Sequence, residues 1–128
     1  MASEMRLELI QVPVSDIDRA KAFYADKLGF SADNDHQVTD ELRFVQLTPP
    51  GSACSIALTS GAHGMQPGSI EGLQMVVDDA EQSRAELAAR GVEVSDVQVF
   101  PWGSFVFFED PDGNGWALQA LTHREDGN

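Results

Sequence analysis

The chain carries its own pattern twice. Leu7-Glu8-Leu9-Ile10-Gln11-Val12-Pro13-Val14-Ser15-Asp16 aligns with Ile70-Glu71-Gly72-Leu73-Gln74-Met75-Val76-Val77-Asp78-Asp79 at an offset of 63 residues. In that register Glu8 meets Glu71, Gln11 meets Gln74, Val14 meets Val77 and Asp16 meets Asp79. Both segments are apolar runs of strand character that end in residues suited to cap a helix. A repeat of this length constrains the fold more than any bulk property, because what the first half builds the second must build again.

Each half continues in the same way. In the first, Ser15 or Asp16 caps a helix, with Asp18 in its first turn. Ile17, Ala20, Phe23, Tyr24 and Leu28 recur at helical spacing, and Gly29 is placed to end the helix. In the second, Asp78 or Asp79 is the cap, Ala80, Leu87 and Ala88 face inward, and Gly91 ends the helix. Strand-like runs follow: Phe30 to about Val38, Glu41–Thr48 and Ala53–Thr59, then Val92 to about Phe100, Ser104–Glu109 and Gly115–Thr122. Pro49-Pro50-Gly51-Ser52 and Asp110-Pro111-Asp112-Gly113-Asn114 read as matching turns, since proline presets φ and glycine or asparagine tolerates positive φ. The expected fold is α+β. It consists of two tandem βαβββ units, about 5–60 and 69–122, within one domain spanning 1–128. Ser60–Ser69 is the expected linker, and the residues after Thr122 form a polar tail.

Composition narrows the partners. Eight Lys and Arg face 21 Asp and Glu, a formal net charge of −13. Such a surface repels phosphate backbones and anionic lipid, so neither nucleic acid nor a membrane is an expected partner. No apolar run approaches the roughly 18 residues of a membrane span. Met1–Arg6 has neither a basic nor an apolar leader character, so no secretory signal is expected. One cysteine, Cys54, cannot form an internal disulfide, and a reduced cytoplasmic setting is the simplest expectation. It reads as a buried structural thiol, with no basic neighbour in sequence to activate it.

Two βαβββ units in so short a chain resemble the vicinal oxygen chelate superfamily, which includes glyoxalase I, extradiol dioxygenases, and fosfomycin- and bleomycin-resistance proteins. The resemblance is carried by Val12-Pro13-Val14-Ser15-Asp16-Ile17-Asp18-Arg19-Ala20, by Phe23-Tyr24 with Leu28-Gly29-Phe30, and by Phe107-Phe108-Glu109-Asp110-Pro111-Asp112-Gly113-Asn114. It spans about residues 6–122. The resemblance implies that paired units curl into a U-shaped or barrel-like mixed sheet around one pocket, with helices outside, and that the protein is a homodimer. Whether the units pair within a chain or across two stays open at this level.

The resemblance also implies where a metal would be held: on the first and last strands of each unit. By alignment those positions are Leu9, Ala57, Gly72 and Ala117. None offers a lone pair to a cation, so neither a metal nor another cofactor is expected. A two-residue slip keeps the strand face and gives Gln11, Thr59, Gln74 and Gln119, a poor set for zinc, nickel or iron. His63 and His123 read as solvated. His36 is the histidine with the most scope to face a ligand.

The remaining candidates for ligand contact are Gln11, Gln74 and Gln119, which share strand faces with the blank metal positions, together with Trp102, Phe107 and His36. Gln46 is a further candidate whose facing is undecided. A buried amide needs a partner, whether protein, water or ligand. Trp102 sits between Pro101 and Gly103 in a loop, suited to a pocket rim. The expected function is metal-free binding of a small organic molecule, aromatic or cationic. One alternative is a diverged metal-dependent lyase, isomerase or dioxygenase whose ligands include His36 with Gln11 or Gln74. No catalytic residue is identified, and no paired carboxylates fall inside the expected trough.

Overall fold

The computed structural model describes residues 3–60 and 64–121. The first unit contains β1 (Leu9–Pro13), α1 (Ile17–Ala22) with a π-helical continuation (Phe23–Lys27), β2 (Ser31–Gln37), β3 (Arg43–Thr48) and β4 (Ser55–Thr59). The second contains β5 (Leu73–Val76), α2 (Ala80–Ala89), β6 (Gln98–Phe100), β7 (Gly103–Glu109) and β8 (Gly115–Leu121). Each unit forms a four-stranded sheet, in the orders β1-β4-β3-β2 and β5-β8-β7-β6. Within each, the first and last strands pair in parallel and the other pairs are antiparallel. The parallel pair follows from the helix, which returns the chain to the same end of the sheet. This is the tandem βαβββ architecture, and among the described residues no strand register joins the sheets into a closed barrel.

Local chemistry sets the helix ends. Asp16, not Ser15, caps α1, and its carboxylate accepts from the Arg19 N–H at 3.1 Å. Asp79 caps α2 in the same way through Gln82. Gly29 and Gly91, both at positive φ, follow the helices as expected. In the π-helical turn Leu28 N–H reaches back to Phe23 O, and both Phe23 and its neighbour Tyr24 are buried. Leu28 itself is only half-buried.

Two expectations need correction. Ala88 is exposed, because the inward stripe of α2 runs through Ala80 and Leu87, and Ala88 lies a further 100° around the helix. The strand expected from Val92 shrinks to Gln98–Phe100. Before it, Ser95 and Asp96 take other partners: Arg84 donates to Ser95 O at 2.8 Å and to the Asp96 carboxylate, while the Ser95 hydroxyl accepts from the Phe107 N–H at 2.9 Å. These side-chain bonds replace a regular ladder.

One continuous core joins the units. Val12, Val45, Leu47, Ile56 and Leu58 from the first sheet, Val106, Phe108, Trp116 and Leu118 from the second, and Ile17, Phe23, Tyr24 and Leu87 from the helices all belong to it. Phe23 packs on Phe108, and Tyr24 on Trp116. The first helix is therefore shared between the sheets and does not lie wholly outside them. A buried polar knot pins this contact. Tyr24 donates to Asp110 at 2.7 Å, and Trp116 Nε1 donates to the Tyr24 oxygen at 2.9 Å. Asn114 donates to both Asp110 and Pro13 O. Burial, reinforced by the Asp110 carboxylate, raises the Tyr24 hydroxyl far above its ordinary pKa, so it remains a donor. Above the knot, Asp112 accepts from the Ser15 N–H and hydroxyl at the start of α1. Among the described residues no helix is long and apolar enough to cross a membrane.

Candidate functional site

Side chains alternate across a strand, and directly paired residues share a face. With Val12, Val45 and Leu58 committed to the core, the opposite face of the first sheet carries Gln11, Ala57, Gln46 and Asn34 in one row, by the pairings Gln11↔Ala57, Gln46↔Ala57 and Asn34↔Gln46. With Trp116 and Leu118 in the core, the opposite face of the second sheet carries Gln74, Ala117 and Phe107, with Gln119 and Phe105 beside them. These two outward faces are the expected walls of a ligand trough. Within one chain they do not close on each other, since the core and α1 lie between the sides of the sheets that meet.

The first face is a polar wall. Asn34 donates to the Gln46 oxygen at 3.2 Å, Gln46 donates to the Ser55 hydroxyl at 3.1 Å, and Ser55 and Thr48 share a hydrogen bond at 2.7 Å. Thr48 donates in turn to Asp33. Gln46, undecided from sequence, belongs to this wall. Gln11 is different: its Oε1 is buried and has no hydrogen-bond partner among the described residues. The buried hydroxyl of Thr59 is likewise unpartnered among the described residues.

The second face is an aromatic wall. Phe100 stacks on Trp102 with centroids 5.4 Å apart, Phe105 meets Phe100 edge-on at 5.6 Å, and Phe107 stacks on Phe105 at 6.0 Å. Trp102 is 61% exposed and Phe107 39%, so the row is open to contact. Phe108 and Trp116, from the same aromatic-rich stretch, are core residues. Gln74 donates to the Gln119 oxygen at 2.6 Å, which links these two amides, and Gln119 donates to Trp102 O at 3.4 Å. Beside the row lies a cavity of about 610 Å³, lined by Gly72, Gln74, Phe107, Gly115 and Ala117, with Glu71 and Glu109 at its rim. The carboxylates were not foreseen as trough residues. Glu109 could have been placed from its two-residue spacing to Phe107.

The expected metal positions fall on or beside these faces: Leu9 and Ala57 on adjacent strands of the first sheet, Ala117 on β8 of the second, and Gly72 one residue before β5, lining the same cavity as Ala117. Their side chains are alkyl groups or hydrogen, which do not suit a metal ion. Among the described residues no three His, Cys, Asp or Glu side chains converge. His36 pairs with Phe44 on edge strand β2, three strands from Gln11, a span of about 14 Å. The fold thus separates His36 from Gln11, and Gln74 belongs to the other sheet. Cys54 is half-buried just before β4. His63 and His123 lie outside the described residues.

The chain matches the family model of the Glyoxalase/Bleomycin resistance protein/Dioxygenase superfamily over residues 6–118, and it belongs to that family. It is similar in structure to TnmS3, an antibiotic binding protein from Streptomyces sp. CB03234, at 36% identity and a TM-score of 0.87, covering 95% of this chain and 100% of that one. It is also similar to a glyoxalase/bleomycin resistance protein from the same Streptomyces, at 38% identity and a TM-score of 0.79, covering 89% and 99% of the two chains. In sequence it is 29% identical to the uncharacterized protein YetH of Bacillus subtilis (strain 168), over 86% of this chain and 93% of that protein.

Proposed function

We propose that this protein binds a small, flat organic molecule without a metal, in a trough walled by the two outward sheet faces, and that two copies of the chain assemble that trough. The observation that carries the reading is the open aromatic row Phe100, Trp102, Phe105 and Phe107 beside a cavity of about 610 Å³. This volume suits a drug-sized ligand, and stacked rings recognise planar π-systems. The alkyl residues Leu9, Ala57 and Ala117 and the bare Gly72 give the floor room in place of ligating atoms. Glu71 and Glu109, with no Lys or Arg among the lining residues, favour a neutral or cationic ligand over an anion. TnmS3 is described as an antibiotic binding protein, which agrees with sequestration rather than turnover. A reduced cytoplasmic setting belongs to the same reading.

Walls that point apart within one chain support the homodimer. The first strands, β1 and β5, are also free edges of their sheets. Exposed Leu7 and Ile10 lie at one and exposed Val76 at the other. A free apolar edge is covered in a stable protein. Setting β1 of one copy beside β5 of the other covers both edges and brings the polar wall opposite the aromatic wall.

The test is calorimetric titration with a panel of planar arenes, with and without EDTA. Saturable binding that survives EDTA and weakens about tenfold in Phe107→Ala is expected, since a stacked ring contributes about 0.5–1.5 kcal/mol beyond its area. Binding that appears only after a divalent metal is added, or that ignores Phe107→Ala, overturns the reading.

A further inference from the structure

We propose that Gln11 sets the orientation and chemical preference of the bound arene, its amide oxygen accepting a hydrogen bond from a hydroxyl or N–H on the ligand. The inference rests on the trough reading above and names the ligand class more closely. The glutamines on the two walls divide cleanly. Gln74 and Gln119 bond each other at 2.6 Å. Gln46 is held at both ends, by Asn34 and Ser55. Gln11 Oε1 alone among these amides is buried with no partner among the described residues.

A buried acceptor left without a donor destabilises the free protein. The neighbours on its sheet face supply no donor: Ala57 has only a methyl group, Gln46 beyond it is engaged, and the Thr59 hydroxyl, itself unpartnered among the described residues, makes no hydrogen bond to Gln11. The missing donor must therefore arrive with whatever fills the space beside Ala57. Across the trough the opposing surface is a row of rings. The complementary molecule is a planar arene carrying a hydrogen-bond donor at its edge, so that stacking gives affinity and Gln11 fixes the direction.

Two probes test this: 2-naphthol, and 2-methoxynaphthalene, in which a methyl group replaces the hydroxyl hydrogen so that it cannot donate. Calorimetric titration of the wild type is expected to show the naphthol binding about tenfold tighter. Gln11→Met, of similar length but without an acceptor, removes that preference and leaves the ether unchanged. Gln11→Glu, which keeps an acceptor, preserves it. Without ligand, Gln11→Met melts at the same temperature as the wild type or higher, because it deletes an unsatisfied group. An ether that binds as tightly as the naphthol, or a Gln11→Met protein that melts several degrees lower, overturns the proposal. If both probes bind alike and Phe107→Ala weakens both, the trough reading stands and the role of Gln11 falls. If neither probe binds, or Phe107→Ala weakens neither, both fall.

Discussion

Asp35 shows how a single surface carboxylate is tied into the unit. It accepts two hydrogen bonds from Arg43, at 2.9 and 2.7 Å, and one from Lys21 at 2.8 Å, joining β2 to β3 and to α1. The Arg43 bonds, then that from Lys21, hold its carboxyl well below the usual carboxylate range. The folded chain therefore binds this proton more weakly than the unfolded chain. The stabilisation is fully present above the unfolded value near 3.8 and is lost as pH falls toward the lower folded value. Asp35→Asn is expected to lower the urea midpoint at neutral pH and to converge on the wild type as pH drops below about 4, measured as unfolding curves across that range. Constant separation of the two proteins down to pH 2 would contradict it. None of this was legible in the sequence, where Asp35 stood in the polar run Asp33–Gln37 and its partners lie 14 and 8 residues away. Gln11, by contrast, was expected on the trough face through the family resemblance, and the register sets it beside Ala57 on the outward face of the first sheet. Its missing partner was not, because hydrogen-bond satisfaction depends on which neighbours the register supplies.

At the scale of elements, the repeat predicted both helices, both caps to within a residue and both turns. Caps and turns are local, so the residues that decide them are adjacent in sequence. The misreadings came where distant groups compete. The stretch from Val92 to Val97 has strand alternation, yet Arg84 and Phe107 draw Ser95 and Asp96 into other bonds. Ser15, a good cap by type, is engaged by Asp112 of the other unit. The linker holds a similar long-range constraint. Gly68 has φ +80, donates to Pro13 O at 3.3 Å, and an added Cβ would come 2.1 Å from Asp112 O. Gly68→Ala is expected to destabilise by about 2–4 kcal/mol, combining left-handed strain with displacement of the turn that touches α1. Urea unfolding followed by near-ultraviolet circular dichroism reads this out. A loss below about 0.5 kcal/mol would show that the turn moves freely.

For the whole molecule, fold class and family membership were readable because duplication and two motif segments span nearly the entire chain. The separation of the two walls was not, because tandem units can meet through either side of their sheets with the same local sequence pattern. What decides it here is the contact of Phe23 and Tyr24 with Phe108 and Trp116. The net charge of −13 adds repulsion between copies, so the proposed assembly would rest on apolar edges and be strengthened by salt. Val77 N–H bonds Gln119 O across the parallel pair. By alternation the Val76 N–H then points to the free edge of β5. Val76→Pro is expected to leave the β5–β8 pairing in place and to shift the protein from dimer to monomer in sedimentation velocity. A wild type that sediments as a monomer at all concentrations would remove the shared trough.

The separation of the polar and aromatic walls has one more consequence. In the proposed assembly a trough that takes Gln11 from one copy and Phe107 from the other is divided between two chains, so such a dimer would contain two identical troughs related by a twofold axis. A lesion in either wall then damages both troughs of a pure mutant dimer. When a copy altered at Gln11 pairs with a copy altered at Phe107, both lesions collect in one trough and the other is restored. Two defective versions of the chain thus rescue each other by half, the intragenic complementation that a binding site confined to one subunit does not allow.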